Sequence, residues 1–254
     1  MSPRYVALGS SMAAGPGIRP KAADAPSGSG RSAINYPHLV ALRLGYHLID
    51  VTFSGATTAN VLTDRQRHAP PQIEAIDGSE DLVTITIGGN DAGYLQLLFA
   101  AGLPRMLRSL PLLGPILRER LDPAAREAAL AQVGESMISV GRAVRDRAPR
   151  ARVLFVDYLT LLPPQGTPAP PLPASDVAIG RQVGDTLKRL TEAAATATGC
   201  ELVRAGDASV DHHPWSDAPW LSRFGMPLPG RVAPLHPNAA GMRAVADLVV
   251  AALG

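Results

Sequence analysis

The chain has 254 residues, of which 46% are hydrophobic, and a formal net charge of +2. This length is enough to bury one large core, so we expect a single domain over residues 1–254. No run of Lys and Arg forms a basic patch, which argues against a nucleic-acid partner. The longest uncharged stretch near the middle, residues 92–104, is too short to span a bilayer, so we expect no transmembrane segment.

Cysteine usage and the first residues bear on location. Cys200 is the only cysteine, which excludes an internal disulfide and is typical of a reducing compartment. An apolar strand-like run starts almost at once, without the basic and long apolar regions of a signal peptide. We therefore expect a cytoplasmic protein, and the alternative is an exported protein whose secretion signal has been removed.

Short apolar runs alternate with longer helical patterns along the chain. The runs typical of strands are residues 5–8, 47–51, 82–87, 153–156 and 201–203. The helical patterns are residues 32–44, 123–147, 176–198 and 237–253. This alternation predicts an α/β fold, with helices on both faces of a parallel sheet.

The first chemical motif, Gly9-Ser10-Ser11, follows the first predicted strand. Open parallel sheets bind ligands at the carboxyl ends of their strands, so the hydroxyl group of Ser11 is a candidate nucleophile. The alternative is a serine that only caps the next helix.

Two further motifs offer donors for a developing oxyanion. Asn90 lies in Gly88-Gly89-Asn90-Asp91 after the third predicted strand, and its side-chain amide can donate a hydrogen bond. Gly55, which follows the second strand, can offer its backbone N–H. The alternative in both places is a turn that needs these residues for its shape alone.

His236 begins the last predicted helix, as an N-cap or first-turn residue. The positive end of the helix dipole disfavours an imidazolium there, so the ring can accept a proton. The alternative is a capping histidine at the surface.

The pair His212-His213, with Asp211 and Asp217 nearby, is a competing candidate for a metal site. Zinc requires further ligands at defined spacing, and none is obvious in the sequence. We therefore expect neither a metal nor another cofactor.

With these motifs, the chain resembles the GDSL/SGNH hydrolase family over nearly its whole length. The resemblance implies a three-layer α/β/α sandwich with a flavodoxin-like parallel sheet of about five strands. It also implies a carboxylic-ester hydrolase in which Ser11 attacks the acyl carbon and His236 transfers the proton. By the same resemblance, the expected oxyanion hole consists of the Ser11 N–H, the Gly55 N–H and the side chain of Asn90.

The chain departs from this family at two positions. Ser10 stands where the family usually has an aspartate, and Ala233 stands where an aspartate usually precedes the histidine by three residues. The carboxylate that orients the imidazole is thus missing. The backbone carbonyl of Ala233 is the first candidate to replace it, and Asp211 or Asp217 is the second. The third alternative is a non-catalytic or degenerate binding domain on the same fold.

Two segments are candidates for the substrate pocket. The Leu-rich segment 95–121 follows Asn90 and either overhangs the site or packs on the sheet. A loop with large apolar residues leads to His236, and it predicts pocket walls from Trp215, Trp220, Phe224 and Met226. The expected substrate is a small-molecule, lipid or carbohydrate ester. A flavodoxin-like nucleotide-binding domain is a weaker alternative to a hydrolase, since residues 9–17 lack the Gly-Lys-Ser/Thr of a P-loop.

Overall fold

A computed structural model describes residues 2–228 and 230–254. Its sheet consists of β1 (Arg4–Gly9), β2 (His47–Asp50), β3 (Leu82–Thr86), β4 (Arg152–Val156) and β5 (Glu201–Val203). All strand pairs are parallel, in the order β2-β1-β3-β4-β5. This is the flavodoxin-like order, and it confirms the predicted sheet.

Helices cover both faces of the sheet. They are α1 (Ser11–Ala14), α2 (Tyr36–Leu44), α3 (Thr58–Leu62), α4 (Tyr94–Gly102), α5 (Gly114–Leu121), α6 (Pro123–Arg147), α7 (Ala174–Ala197), α8 (Ala205–Ala208) and α9 (Ala239–Leu253). Short 3-10 turns lie at Gln72–Ala75, Arg105–Ser109 and Val210–His212. α2 packs against α9 in one layer, and α6 packs against α7 in the other. Within the described ranges, no helix has the length and apolar character needed to cross a membrane.

Helix starts follow the capping residues. α6 begins at the predicted residue because the Asp122 side chain accepts a hydrogen bond from Ala124 N at 3.1 Å. α2 begins later than predicted, because Asn35 is its N-cap and accepts from His38 N. α9 also begins later, at Ala239. The prediction that His236 is an N-cap or first-turn residue was therefore wrong.

The strand order brings the predicted motifs together. The chain passes from β1 to β2 on one side and then crosses to β3 on the other side of β1. Such a reversal opens a crevice at the carboxyl ends of β1 and β3. Gly9 at the end of β1 is in register with Thr86 at the end of β3. The loops that carry Ser11 and Asn90 therefore leave the sheet side by side.

Candidate active site

The end of β1 is held in place by a close contact and by a side-chain clamp. Gly9 has φ +149, and a Cβ atom there would lie 2.6 Å from the carbonyl oxygen of Thr86. The Gln72 side chain accepts from Gly9 N at 2.7 Å and donates to Gly9 O at 3.1 Å. The chain then turns at Ser10, and Ser11 becomes the first residue of α1. The position of the Ser11 hydroxyl group is thus fixed by the sheet.

Ser11 and His236 meet in this crevice. Nε2 of His236 lies 2.9 Å from Oγ of Ser11, and Nδ1 lies 2.8 Å from the carbonyl oxygen of Pro234. A carbonyl oxygen only accepts, so Nδ1 carries the proton in the neutral ring. Nε2 is then free to accept the hydroxyl proton of Ser11.

Burial controls the charge of His236. Loss of solvent lowers the pKa of this imidazole below its usual value, and the hydrogen bond to the Pro234 carbonyl opposes that effect more weakly. The ring is therefore neutral at neutral pH, as the sequence predicts. The cause differs from the predicted one, since His236 lies before α9 and burial is the largest contribution.

The acceptor that orients the ring is Pro234, not Ala233. The Ala233 carbonyl accepts instead from Ser222 Oγ at 2.5 Å and from His236 N at 3.2 Å. Leu235 has φ +59, a left-handed conformation that turns the chain just before His236. The sequence analysis thus predicted the right kind of acceptor, a main-chain carbonyl, but assigned it to Ala233 instead of the next residue, Pro234.

The predicted alternatives, Asp211 and Asp217, are not hydrogen-bonded to the ring. Both are exposed, and neither forms a hydrogen bond or an ion pair with His236. Within the described part of the chain, no carboxylate is hydrogen-bonded to His236.

Asn90 and Gly55 belong to one hydrogen-bonded unit. Nδ2 of Asn90 donates to the carbonyl oxygen of Ala56 at 2.8 Å. Ala56 N donates to Phe53 O at 3.0 Å and closes a turn in which Gly55 has φ +82. The side chain of Asn90 has a second N–H, which remains for a ligand.

Asp91 anchors the same loop to the protein. Its Oδ1 accepts from Thr58 N at 3.0 Å and from Thr58 Oγ1 at 2.6 Å, at the start of α3. The Asp91 carboxylate is therefore used in hydrogen bonds to α3, whereas Gly89 and Asn90 of the same motif line the cavity beside Ser11.

Tyr158 is a residue of the site that the sequence reasoning missed. Its hydroxyl group lies 3.1 Å from Ser10 Oγ and accepts from Gly89 N at 3.0 Å. Burial raises the pKa of Tyr158 to about 12, so the phenol stays protonated. One signal was available: Tyr158 follows a predicted strand, at the same edge of the sheet as Ser11.

The cavity beside Ser11 is small. Its volume is about 10 Å³, and its walls include Asn90, Tyr94, Leu95 and Tyr158. Such a volume corresponds to about one water molecule. Within the segment 95–121, it is Leu95 that lines the cavity beside Ser11, at the start of α4.

The two tryptophans predicted as pocket walls are used elsewhere. Nε1 of Trp215 donates to the carbonyl oxygen of Pro170 at 2.9 Å, which ties the loop to a Pro-rich segment. Trp220 stacks on His212 with ring centroids 4.1 Å apart. Neither lines the cavity beside the Ser11 hydroxyl group.

Phe224 and Met226 also lie outside that cavity. Phe224 packs on Phe99 of α4, with ring centroids 5.9 Å apart, and Met226 is 77% exposed. Tyr94, Leu95 and Tyr158 thus line the small cavity beside Ser11, and Phe224 packs on α4. The walls of a pocket large enough for a substrate stay a prediction.

The histidine pair serves local structure. Nδ1 of His212 contacts the Ala218 carbonyl at 2.7 Å, and Nδ1 of His213 accepts from Trp215 N at 3.2 Å. Among residues 2–228 and 230–254, no group of three or more His, Cys, Asp or Glu is arranged to hold a metal ion.

The chain is similar to known proteins in sequence. The GDSL-like lipase/acylhydrolase family model matches residues 7–244. A protein named Lipase 2 from Streptomyces coelicolor is 34% identical over 98% of this chain and 85% of its own length. A lipase from Streptomyces rimosus is 29% identical over 93% of this chain and 81% of its own length.

Two solved structures have the same fold. The extracellular lipase from Streptomyces rimosus superposes with a TM-score of 0.81 at 26% identity, over 99% of this chain and 100% of that chain. Phospholipase A1 from Streptomyces albidoflavus NA297 gives a TM-score of 0.82 at 24% identity, over 99% of both chains.

Proposed function

The chain belongs to the GDSL-like lipase/acylhydrolase family, and from this premise we propose that it hydrolyses carboxylic esters through an acyl-enzyme on Ser11. The observation that carries the proposal is the 2.9 Å contact between Ser11 Oγ and His236 Nε2. The names of the lipase relatives favour a lipid ester, within a substrate class that also includes carbohydrate and other small-molecule esters.

Proton transfer follows from the two contacts of the imidazole. Nε2 removes the proton of Ser11 as Oγ bonds to the acyl carbon, and the carbonyl electron pair moves onto the substrate oxygen. The intermediate collapses when Nε2 returns the proton to the leaving alcohol. Water, which gives a proton to Nε2, then attacks the acyl carbon of the acyl-enzyme. The bond to Ser11 Oγ breaks, Oγ regains its proton from Nε2, and the acid is released. The Pro234 carbonyl accepts from the Nδ1–H and stabilises the ring while it is charged. Because this main-chain carbonyl takes the place of a carboxylate, Ser11 and His236 form a catalytic dyad rather than a triad.

Three donors stabilise the oxyanion in this scheme. They are the backbone N–H of Ser11, the backbone N–H of Gly55 and the second amide N–H of Asn90. The hydrogen bond from Asn90 to Ala56 holds that amide against the Gly55 turn. We expect Asn90→Ala to lower kcat by about a hundredfold or more with a smaller change in KM, because the bond strengthens as charge develops.

The two adjacent serines provide the direct test. We expect Ser11→Ala to abolish hydrolysis of p-nitrophenyl esters and labelling by a fluorophosphonate, whereas Ser10→Ala keeps labelling. The reverse result would overturn the assignment of the nucleophile. A wild-type protein that neither hydrolyses esters of graded chain length nor reacts with the fluorophosphonate would instead be a degenerate binding domain.

A second comparison separates a dyad from a triad. Asp211→Asn and Asp217→Asn should each keep most of the activity, because both carboxylates are exposed and neither is hydrogen-bonded to the ring. In a triad, loss of the orienting carboxylate lowers kcat by about 10⁴. A loss of that size in either variant, with the fold intact by circular dichroism, contradicts the dyad.

A further inference from the structure

An unusual apolar surface lies between α4 and α5. Six large apolar side chains within residues 103–116 are exposed, from 36% at Leu103 to 88% at Leu112. They are Leu103, Met106, Leu110, Leu112, Leu113 and Ile116. Single exposed apolar residues are normal on a soluble protein, but a cluster of this size marks an interaction site. We refer to residues 103–116 as the apolar cap.

The apolar cap is close to the candidate active site. α4 starts at Tyr94, and Tyr94 and Leu95 line the cavity beside Ser11. The helix has 9 residues, so it leads from that cavity to Leu103 over about 13 Å.

The loop before His236 extends the same surface. Phe224 packs on Phe99, and a Cβ atom on Gly102 would lie 2.1 Å from its ring. This contact places the segment 224–228 at the end of α4 where the apolar cap begins. Met226 is 77% exposed in that segment, and Leu228 is 53% exposed. Both segments that flank the site therefore present apolar side chains to solvent.

Charge indicates what this surface contacts. Residues 103–121 contain four arginines and one glutamate, a net charge of +3. Arg108 is paired with Asp176 at 2.6 Å and Glu119 with Arg126 at 2.9 Å, so Arg105, Arg118 and Arg120 are the arginines of this segment that form no ion pair among the described residues. The segment 222–231 carries Arg223 and Arg231 and no acidic residue. Apolar side chains among cations are typical of surfaces that insert into an anionic lipid interface. A second copy of this chain would present the same positive charge, which disfavours pairing of two such faces.

We propose that the apolar cap, together with Met226 and Leu228, docks the protein on an anionic lipid surface. The apolar side chains enter the boundary between headgroups and acyl chains, and the arginines that form no ion pair, such as Arg105, contact the lipid phosphates. The surface then places the Ser11 cavity beside ester groups at that boundary. Binding to the lipid surface does not require catalysis, but its role in bringing ester groups to Ser11 rests on the proposed function.

Vesicle binding tests this proposal without catalysis. The vesicles contain ether-linked phosphatidylglycerol and phosphatidylcholine, which have no ester bond to cleave. We expect wild-type protein to float with these vesicles and Leu112→Glu to bind them about tenfold more weakly or worse. Leu42→Glu is the matched control, because Leu42 is 81% exposed on α2, in the other helix layer. It should bind like the wild type.

A charge variant gives independent evidence. Arg105 is exposed and forms no ion pair among the described residues. Arg105→Gln should weaken binding to vesicles with phosphatidylglycerol and leave binding to pure phosphatidylcholine unchanged. The melting temperatures of all three variants should match the wild type, since each substituted side chain is exposed.

Three outcomes overturn the docking proposal. In the first, Leu112→Glu binds vesicles as well as the wild type does. In the second, wild-type binding is independent of the phosphatidylglycerol fraction. In the third, the wild type is a dimer by size-exclusion chromatography with light scattering and Leu112→Glu is a monomer, which makes the cap a protein interface.

Hydrolysis of a soluble p-nitrophenyl ester separates this proposal from the proposed function. If the wild type binds ether vesicles and hydrolyses no ester, the proposed function fails and docking stands. If it hydrolyses the soluble ester but binds no vesicles, docking alone fails.

Discussion

A single hydroxyl group, that of Tyr158, joins two loops of the candidate site. It contacts Ser10 in the loop after β1 and accepts from Gly89 in the loop after β3. Gly89 and Ser10 precede Asn90 and Ser11, so the phenol fixes the distance between the proposed nucleophile and an oxyanion donor. Ser10 stands where the family usually has an aspartate, and its hydroxyl group is hydrogen-bonded to the hydroxyl group of Tyr158.

We therefore expect Tyr158→Phe to lower kcat about tenfold with little change in KM, because the ring still packs while the bridge is lost. Steady-state kinetics with a soluble p-nitrophenyl ester measures this. Tyr94→Phe is the control, since Tyr94 lines the same cavity and its hydroxyl group has no hydrogen bond to the described residues. Equal losses in both variants would assign the effect to the cavity wall and contradict the bridge.

A double variant tests whether the two residues act together. If Tyr158 acts through Ser10, Ser10→Ala and Tyr158→Phe should each lower kcat, and the double variant should lose less than the product of the single losses. Independent effects would multiply, and that result would separate the two residues.

At the residue scale, the motifs predicted which side chains come together. Ser11 and His236 lie within hydrogen-bonding distance although 225 positions separate them. Pro234 was missed because a main-chain carbonyl leaves no signature in a sequence. Tyr158 was missed because one tyrosine after a strand matches no motif. The catalytic roles of these residues stay predictions.

At the scale of the element, α9 holds His236 through its N-cap. The Asn238 side chain accepts from Ala240 N at 2.8 Å and from Gly241 N at 3.0 Å, and its Nδ2 donates to the Pro219 carbonyl at 2.7 Å. One residue therefore caps the helix and ties it to the loop that precedes His236.

We expect Asn238→Ala to lower the free energy of unfolding by about 2 kcal/mol, since it removes both the cap and the tie to the loop. Asn238→Ser keeps a capping oxygen and loses the amide donor to Pro219, so its loss should be about half as large. Urea denaturation measures both. If the two variants are equally destabilised, the tie to Pro219 rather than the cap stabilises this element.

Elements were predicted better than their ends and their contacts. All five strands were found because short apolar runs, such as the buried residues of β3, fit a sheet covered on both faces. The starts of α2 and α9 were misplaced because their capping residues, Asn35 and Asn238, were not recognised. The hydrogen bond of Trp215 was not predicted because its partner Pro170 lies 45 positions away, and sequence patterns do not report such contacts. The walls of the substrate pocket stay a prediction.

At the scale of the whole molecule, Asp157 links stability to pH. It follows β4 and is buried, its Oδ1 accepts from Gly206 N at 2.8 Å, and its Oδ2 has no hydrogen-bond partner in the described residues. Burial raises the pKa of Asp157 to about 6, whereas an unfolded aspartate has a pKa of about 3.9. The folded protein thus binds this proton more tightly, and the resulting stability is full below about pH 4 and is lost as pH rises through about 6.

We expect Asp157→Asn to remove this dependence. Between pH 5 and pH 8, the variant should gain about 1 kcal/mol of unfolding free energy relative to the wild type, because it has no proton to lose. Urea denaturation at the two pH values measures the difference. Asp217→Asn is the exposed control and should follow the wild type. If the unfolding free energies of Asp157→Asn and the wild type change equally between the two pH values, the buried carboxyl group is not the source of the pH dependence.

The overall architecture was the most predictable feature, since the alternation of strands and helices together with the family motifs specified the flavodoxin-like sandwich. The expected cytoplasmic location, by contrast, stays a prediction, because neither the strand order nor the site geometry depends on the compartment.

The hydrogen bond from His236 to the Pro234 carbonyl has a genetic consequence. Every amino acid carries a main-chain carbonyl, so no single codon change can delete this acceptor, whereas an orienting aspartate is lost by one. Alanine scanning would pass over position 234 without detecting it. Selection at this site therefore acts on the path of the chain, such as the left-handed turn at Leu235, and homologous enzymes can share the acceptor while sharing no residue there.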